Sequence, residues 1–158
     1  MPPPETPALA ALSHGGLDHQ IVVTPPARSA EESAELQGVA VEQLLKTMVV
    51  RRGEDDYVFV LVPGPRQIDW AKLRKHLGVS RLSMPPRDEA VAATGYEPGT
   101  ITPLGSTNAW PVIMDESAAH TGTVTIGGGE RGVNVHADAL ELLRFLDGES
   151  ADVTKLSP

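Results

Sequence analysis

Residues 46–62 read KTMVVRRGEDDYVFVLV. Two runs of β-forming residues flank a polar turn at residues 53–56, the pattern of a β-hairpin. In the first run Lys46, Met48 and Val50 share one face, while Thr47, Val49 and Arg51 share the other. The second run, residues 57–62, is nearly unbroken apolar sequence, as expected of a strand covered on both faces. Pro63, Gly64 and Pro65 end it.

Outward from this hairpin, short elements follow one another with only turns between them. Upstream, Gln20 to Thr24 is a strand candidate, stopped by Pro25 and Pro26. Ser29 with Glu32 forms a capping box for a helix ending near Gln37, and Gly38 suits the left-handed position beyond it. Val41 to Leu45 reads as a helical turn. Downstream, Asp69 caps a helix to Leu77, with Trp70, Leu73 and Leu77 on one face. Arg81 to Met84 is a strand candidate, and Arg87 to Thr94 a helix closed by Gly95. Trp110 to Met114, Thr123 to Ile126 and Val133 to His136 complete the strands. A last helix follows Asp138 and is ended by Gly148.

The expected fold is mixed α/β: a curved, barrel-like mixed sheet of about six or seven strands with short helices packed outside. The order does not alternate strictly between strand and helix, which argues against a doubly wound parallel sheet. One domain is expected over residues 19–148. Prolines and glycines mark residues 1–18 as a loose tail, and residues 149–158 as a second tail.

Composition bounds the rest. The 158 residues are 41% hydrophobic and 22% charged, ordinary for a globular chain, but only 4% aromatic. The core must therefore be built from Val, Leu, Ile and Ala. No apolar run approaches a membrane span. The opening Pro2-Pro3-Pro4, with no nearby Lys or Arg, is not the pattern of a signal peptide, so the expected address is cytoplasmic. The absence of cysteine excludes disulfides, thiol catalysis and cysteine-bound zinc. The formal charge is −8, against non-specific nucleic-acid binding. Yet 9 of the 13 basic residues lie between Lys46 and Arg87. They form either one basic face or a set of solvated surfaces.

Several familiar chemistries find no support. Residues 127–132 (GGGERG) satisfy G-x-G-x-x-G, but a strand rather than a helix follows, so a pyrophosphate would lack its helix N-terminus. The hairpin is either a tight turn or a place where bare backbone approaches a ligand. The five histidines show no metal-ligand spacing, and there is no G-x-S-x-G elbow. Asp115 and Glu116 are neighbours on a strand and face opposite ways. Two features remain. Lys46, among apolar neighbours, either reaches a pocket half-buried or snorkels to water. The loop from Gly95 to Gly105 holds three glycines and two prolines, a stiff connection whose amides could hold an oxyanion.

Together, the segment Val41–Val50 (VEQLLKTMVV), Gly95-Tyr96 with Thr102-Pro103-Leu104-Gly105, Gly127-Gly128-Gly129 and Gly132-Val133-Asn134-Val135-His136 resemble the YbaK/ProX family of aminoacyl-tRNA deacylases, relatives of the editing domain of prolyl-tRNA synthetase. The resemblance spans nearly all of residues 20–147. It implies hydrolysis of the ester joining a wrong amino acid to a tRNA 3′ end, with no metal or organic cofactor. It implies tRNA as partner, and prolyl-tRNA synthetase as a further one. Cysteinyl or alanyl esters on a proline tRNA are the implied substrates. Lys46 matches the family's functional lysine. Gly99 and Pro103 match the ends of its G-x-x-x-P loop, which here encloses Thr100, Ile101 and Thr102. Thr47, Tyr96, Gly127, Gly128 and Gly129 fall at substrate-binding positions, and His136 matches a histidine used by some members. Some members carry a serine in the hairpin where this chain has only glycine. The competing expectations are a non-catalytic tRNA-end or synthetase-binding module of the same fold, and a site for another small acyl or nucleotide ligand.

Overall fold

The structure, a computed structural model, describes residues 4–158. Among the described residues, nine strands divide among three sheets. The largest contains β2 (Leu45–Gly53), β3 (Asp56–Pro63), β5 (Val112–Asp115) and β8 (Glu149–Ala151), in the order β2-β3-β5-β8. Strands β2 and β3 pair antiparallel, Lys46 opposite Val62 and Val50 opposite Val58. The pairs β3–β5 and β5–β8 are parallel, so the sheet is mixed. A second sheet holds β1 (Gln20–Val23), β7 (Val133–Asp138) and β6 (Thr123–Gly127), all antiparallel, with Thr125 opposite His136. The third is the ladder of β4 (Arg66–Ile68) with β9 (Thr154–Leu156). A single parallel bridge, Leu44 to Thr125, joins the edges of the two larger sheets.

Strand β3 carries the core on both faces, as its composition requires. Tyr57, Phe59 and Leu61 enter one cluster with Val124, Ile126, Val135 and Leu142. Val58, Val60 and Val62 enter another with Ile68, Leu73 and Val153. Each such side chain, when fully buried, contributes about 1.5–3 kcal/mol of transfer free energy.

Helices cover these faces where capping signals placed them. Helix α2 (Ala30–Gln37) starts at Ser29, whose hydroxyl accepts from Glu32 N at 3.1 Å, and stops at Gly38 with φ +71°. Helix α3 (Trp70–Leu77) is capped by Asp69, and α6 (Ala139–Phe145) by Asp138. Helix α4 (Arg87–Thr94) follows Pro85-Pro86, and the four-residue α5 (Glu116–Ala119) follows β5.

Both expected tails contain structure. Residues 7–14 form α1 (Pro7–His14). Pro7 sits in its first turn, where no amide partner is needed, and Thr6 caps it by accepting from Leu9 N. Ala8 and Leu12 are buried. Read as a breaker, that proline in fact begins a helix. Residues 1–3 of the expected tail lie outside the described residues. At the other end, β8 and β9 hold the chain against β5 and β4, and Val153 and Thr154 are fully buried. The expected strand at residues 81–84 is reduced to one bridge: Ser83 exchanges two backbone hydrogen bonds with Arg51. Pro85 and Pro86, lacking amide donors, extend it no further.

Asp115 fastens the C-terminal segment. Its carboxylate is 1% exposed and accepts from Val153 N at 3.1 Å, Ser117 N and the Ser117 hydroxyl. Burial opposes its charge, but hydrogen bonds from Ser117, Val153 and Thr154 prevail and hold its pKa below the ordinary value. This stabilisation is complete above about pH 4, the unfolded carboxylate value, and is lost as pH falls through the lower folded value. Asp115→Asn is expected to cost about 2–3 kcal/mol in urea unfolding at pH 7. The gap to wild type should narrow as the titration is repeated below about pH 4; an equal gap at every pH would contradict the charge-based account.

Candidate functional site

Strand β2 is an edge strand, yet both ends of its free edge are closed. Leu44 is bridged to Thr125 at one end, and Arg51 to Ser83 at the other. Between these bridges lies a cleft of about 510 Å³. One wall is residues 45–49 of β2 itself. A second is the turn into α4, through Met84, Pro85, Arg87 and Ala90. Pro98, Gly99 and Ile101 of the long loop form the third, and Gly127 at the end of β6 closes it.

Lys46, Thr47, Gly99, Ile101 and Gly127 therefore border one hollow. The Lys46 stem is half-buried, and its ammonium donates to Arg66 O at 2.9 Å. Burial lowers its pKa, and Glu31 on α2 acts in the opposite direction. Thr47 faces the opposite side of β2, so it meets the cleft along the strand edge.

The loop is stiffened from beneath. Tyr96 is buried, and its hydroxyl donates to Leu104 O at 2.7 Å. Burial pushes its phenol up to about 12 despite an opposing backbone contact at Ala8. Thr102 is fully buried and its hydroxyl accepts from Leu104 N. The Thr100 amide and hydroxyl both donate to Glu97 O. The Gly99 and Ile101 amides have no backbone partner among the described residues. Gly99 has φ +92°, and a Cβ there would stand 2.8 Å from Nη2 of Arg131, whose guanidinium lies against it. Gly105 meets α1 so closely that a Cβ would fall 2.3 Å from Pro7 O.

The remaining expected positions lie elsewhere. Pro103 borders a separate hollow with Trp110 and Phe145. Gly128 is buried, donates to Val133 O, and its carbonyl accepts from Thr6. Gly129 packs against Tyr96 and Thr6. His136 is not among the lining residues: its Nε2 is 2.9 Å from Gln37 Oε1, which also accepts from Thr125. Burial lowers the His136 pKa, favouring the neutral ring. With Gln37 accepting, the ring carries its proton on Nε2.

Sequence reading did not find the wall at residues 84–90 or Arg131. The double proline before α4 marks a turn but gives no hint that it faces β2. Arg131 lay inside a glycine-rich pattern read only for its backbone.

The chain matches the family described as "Aminoacyl-tRNA editing domain" over residues 24–145. It is 30% identical over 142 residues to a protein named "Proline--tRNA ligase" from Thermosipho melanesiensis; the match covers 89% of this chain and 24% of the ligase, so the chain spans about a quarter of that relative. It is 28% identical over 126 residues to an Enterococcus faecalis protein named "Putative Cys-tRNA(Pro)/Cys-tRNA(Cys) deacylase EbsC", covering 80% of this chain and 77% of the relative. Among solved structures, one described as "a putative trans-editing enzyme for prolyl tRNA synthetase" superposes with a TM-score of 0.85 at 25% identity, over 96% of this chain and 99% of the other. Fold, motif order and these matches agree: the chain belongs to the aminoacyl-tRNA editing domain family, the YbaK/ProX type.

Proposed function

We propose that the chain hydrolyses, in trans, the ester of a mischarged tRNA, with cysteinyl or alanyl groups on a proline tRNA as substrates. The observation that carries this reading is the convergence of Lys46, the Gly99–Ile101 backbone and Gly127 on one cleft. An aminoacyl ester is already activated, so no protein nucleophile is required. The Gly99 and Ile101 amides, free of backbone partners among the described residues, suit a carbonyl oxygen that gains charge as water adds. Lys46, held by Arg66 O, directs its remaining donors at the acyl end of the substrate. Water attacks the carbonyl carbon, the bond to the ribose oxygen breaks, and that oxygen takes a proton. The products are a free amino acid and an uncharged tRNA. Pro103 and Tyr96 act beneath the loop, fixing the backbone that carries the amides.

Association with prolyl-tRNA synthetase and a cytoplasmic address belong to the same proposal. Among the described residues, no helix is long and apolar enough to cross a membrane. Barrel-like continuity of the two larger sheets belongs to it as well, supported by the Leu44–Thr125 bridge beside the cleft.

A deacylation panel tests this reading. Wild type should release amino acid from Cys-tRNA(Pro) or Ala-tRNA(Pro), and Lys46→Ala should be slower by about 10²–10³-fold with unchanged thermal unfolding. Binding without turnover in wild type, or full turnover in Lys46→Ala, would sink it. Because burial lowers the Lys46 pKa, activity above the spontaneous rate should fall with rising pH before the ordinary lysine range is reached.

Gly99→Ala addresses the loop separately. A side chain at φ +92° is strained by about 1–2 kcal/mol and would also displace the Arg131 guanidinium. Loss of more than tenfold in activity, with a lowered melting temperature, is expected; wild-type kinetics would show that the loop backbone is not part of the site.

A further inference from the structure

We infer that Arg131 is the residue that binds a phosphate of the 3′-terminal nucleotides, an assignment that rests on the deacylase reading and names the contact it still lacks. The two basic residues that line the cleft, Lys46 and Arg87, and Arg66 behind Lys46 are engaged. Lys46 donates to Arg66 O. Arg87 forms two hydrogen bonds with Glu97, at 2.8 and 3.1 Å. Arg66 donates to the Thr154 hydroxyl at 2.6 Å and lies 3.8 Å from Asp115. Arg131 is exposed, and among the described residues it makes no hydrogen bond or ion pair through its side chain.

Its placement is nonetheless constrained. Arg131 projects from the turn between β6 and β7, just beyond Gly127, and its guanidinium lies against Gly99. Arg131 does not line the cleft itself, but Gly99 does, so the guanidinium lies at the rim on the Gly99 side. An acyl group held by the Gly99 and Ile101 amides would leave its nucleotide at this rim. A guanidinium presents five N–H donors in a planar fork that matches phosphate oxygens. Donors unused by the protein, at the mouth of a site for a polyanion, fit a phosphate. The lack of a side chain at position 99 is then explained twice, by its backbone angle and by the cation lying on it.

The experiment compares wild type, Arg131→Ala and Arg131→Lys of the full chain on two substrates: the mischarged tRNA, and the same amino acid esterified to adenosine, which has no phosphate. On tRNA, Arg131→Ala should raise KM about tenfold and reduce the salt dependence of kcat/KM by roughly one released counterion. On the aminoacyl-adenosine, its kcat/KM should stay within about twofold of wild type. Arg131→Lys, which keeps charge but loses the fork, should recover part of the KM on tRNA. An unchanged KM on tRNA, or equal losses on both substrates, would overturn the assignment; equal losses would instead make Arg131 a support for the Gly99 backbone. Should wild type hydrolyse neither substrate, the deacylase reading fails by itself. The phosphate assignment is then decided by NMR titration with the trinucleotide CCA: about tenfold weaker binding by Arg131→Ala upholds it, and equal or absent binding rejects it.

Discussion

Everything at the cleft depends on an interruption in β-pairing. An edge strand presents unpaired N–H and C=O groups, which natural proteins cover, bend or shorten. Here β2 is sealed at both ends, by Thr125 and by Ser83, and left open between. The opening is therefore bounded by the ladder geometry itself, and cannot spread along the strand without breaking a bridge. Because the cleft runs along the edge, it receives side chains from both faces of β2, Lys46 from one and Thr47 from the other. That constraint explains why a polar strand residue and a loop about fifty positions downstream share one hollow.

A second constraint keeps the opposite walls in place. The cap and first residue of α1 touch the segments that continue both: Thr6 donates to Gly128 O at 2.6 Å, next to Gly127, and Pro7 O meets Gly105 at the end of the long loop. Tyr96 ties the loop internally through Leu104 O. The loop is thus held by a helix below it and by its own buried aromatic. Backbone amides can stabilise developing charge only if they are fixed before the reaction begins. Helix α1 is too short to be stable alone in water, so its packing on these walls and its own folding are coupled.

Much of this was legible in the sequence, for identifiable reasons. Strand β3 announced itself through six consecutive residues, 57–62, that could only be buried on both faces. Helices α2, α3 and α6 announced themselves through Ser29, Asp69 and Asp138, each a local hydrogen bond written in a single side chain. Helix α1 stayed hidden because Pro2 to Pro7 reads as punctuation until the cap at Thr6 is seen. Strands β8 and β9 stayed hidden because three-residue strands carry no periodicity; they exist through their pairing with β5 and β4. The placement of His136 was hidden for a related reason. Its strand was clear, but the face it shares with Thr125 is covered by Gln37, a residue about a hundred positions earlier.

The charge pattern shows most sharply how sequence and space differ. Residues 46–87 carry a strong positive excess, which on paper leaves either one broad basic face or a set of solvated surfaces. In the folded chain Arg51, Arg52, Arg66, Lys72 and Arg87 each face a carboxylate. Only Asp56 among those partners belongs to the stretch; Glu89, Glu97, Asp115 and Asp152 come from outside it. Folding therefore neutralises most of the excess locally. Apart from Arg66–Asp115, whose carboxylate is buried, these pairs are at least partly exposed and add little stability, so their main effect is to remove unpaired cations from the surface. Four cations of the stretch, Lys46, Arg74, Lys75 and Arg81, form no ion pair among the described residues, and of these only Lys46 lines the cleft. The positive charge available at the cleft is thus set by which cations folding leaves unpaired there, not by their number in the stretch.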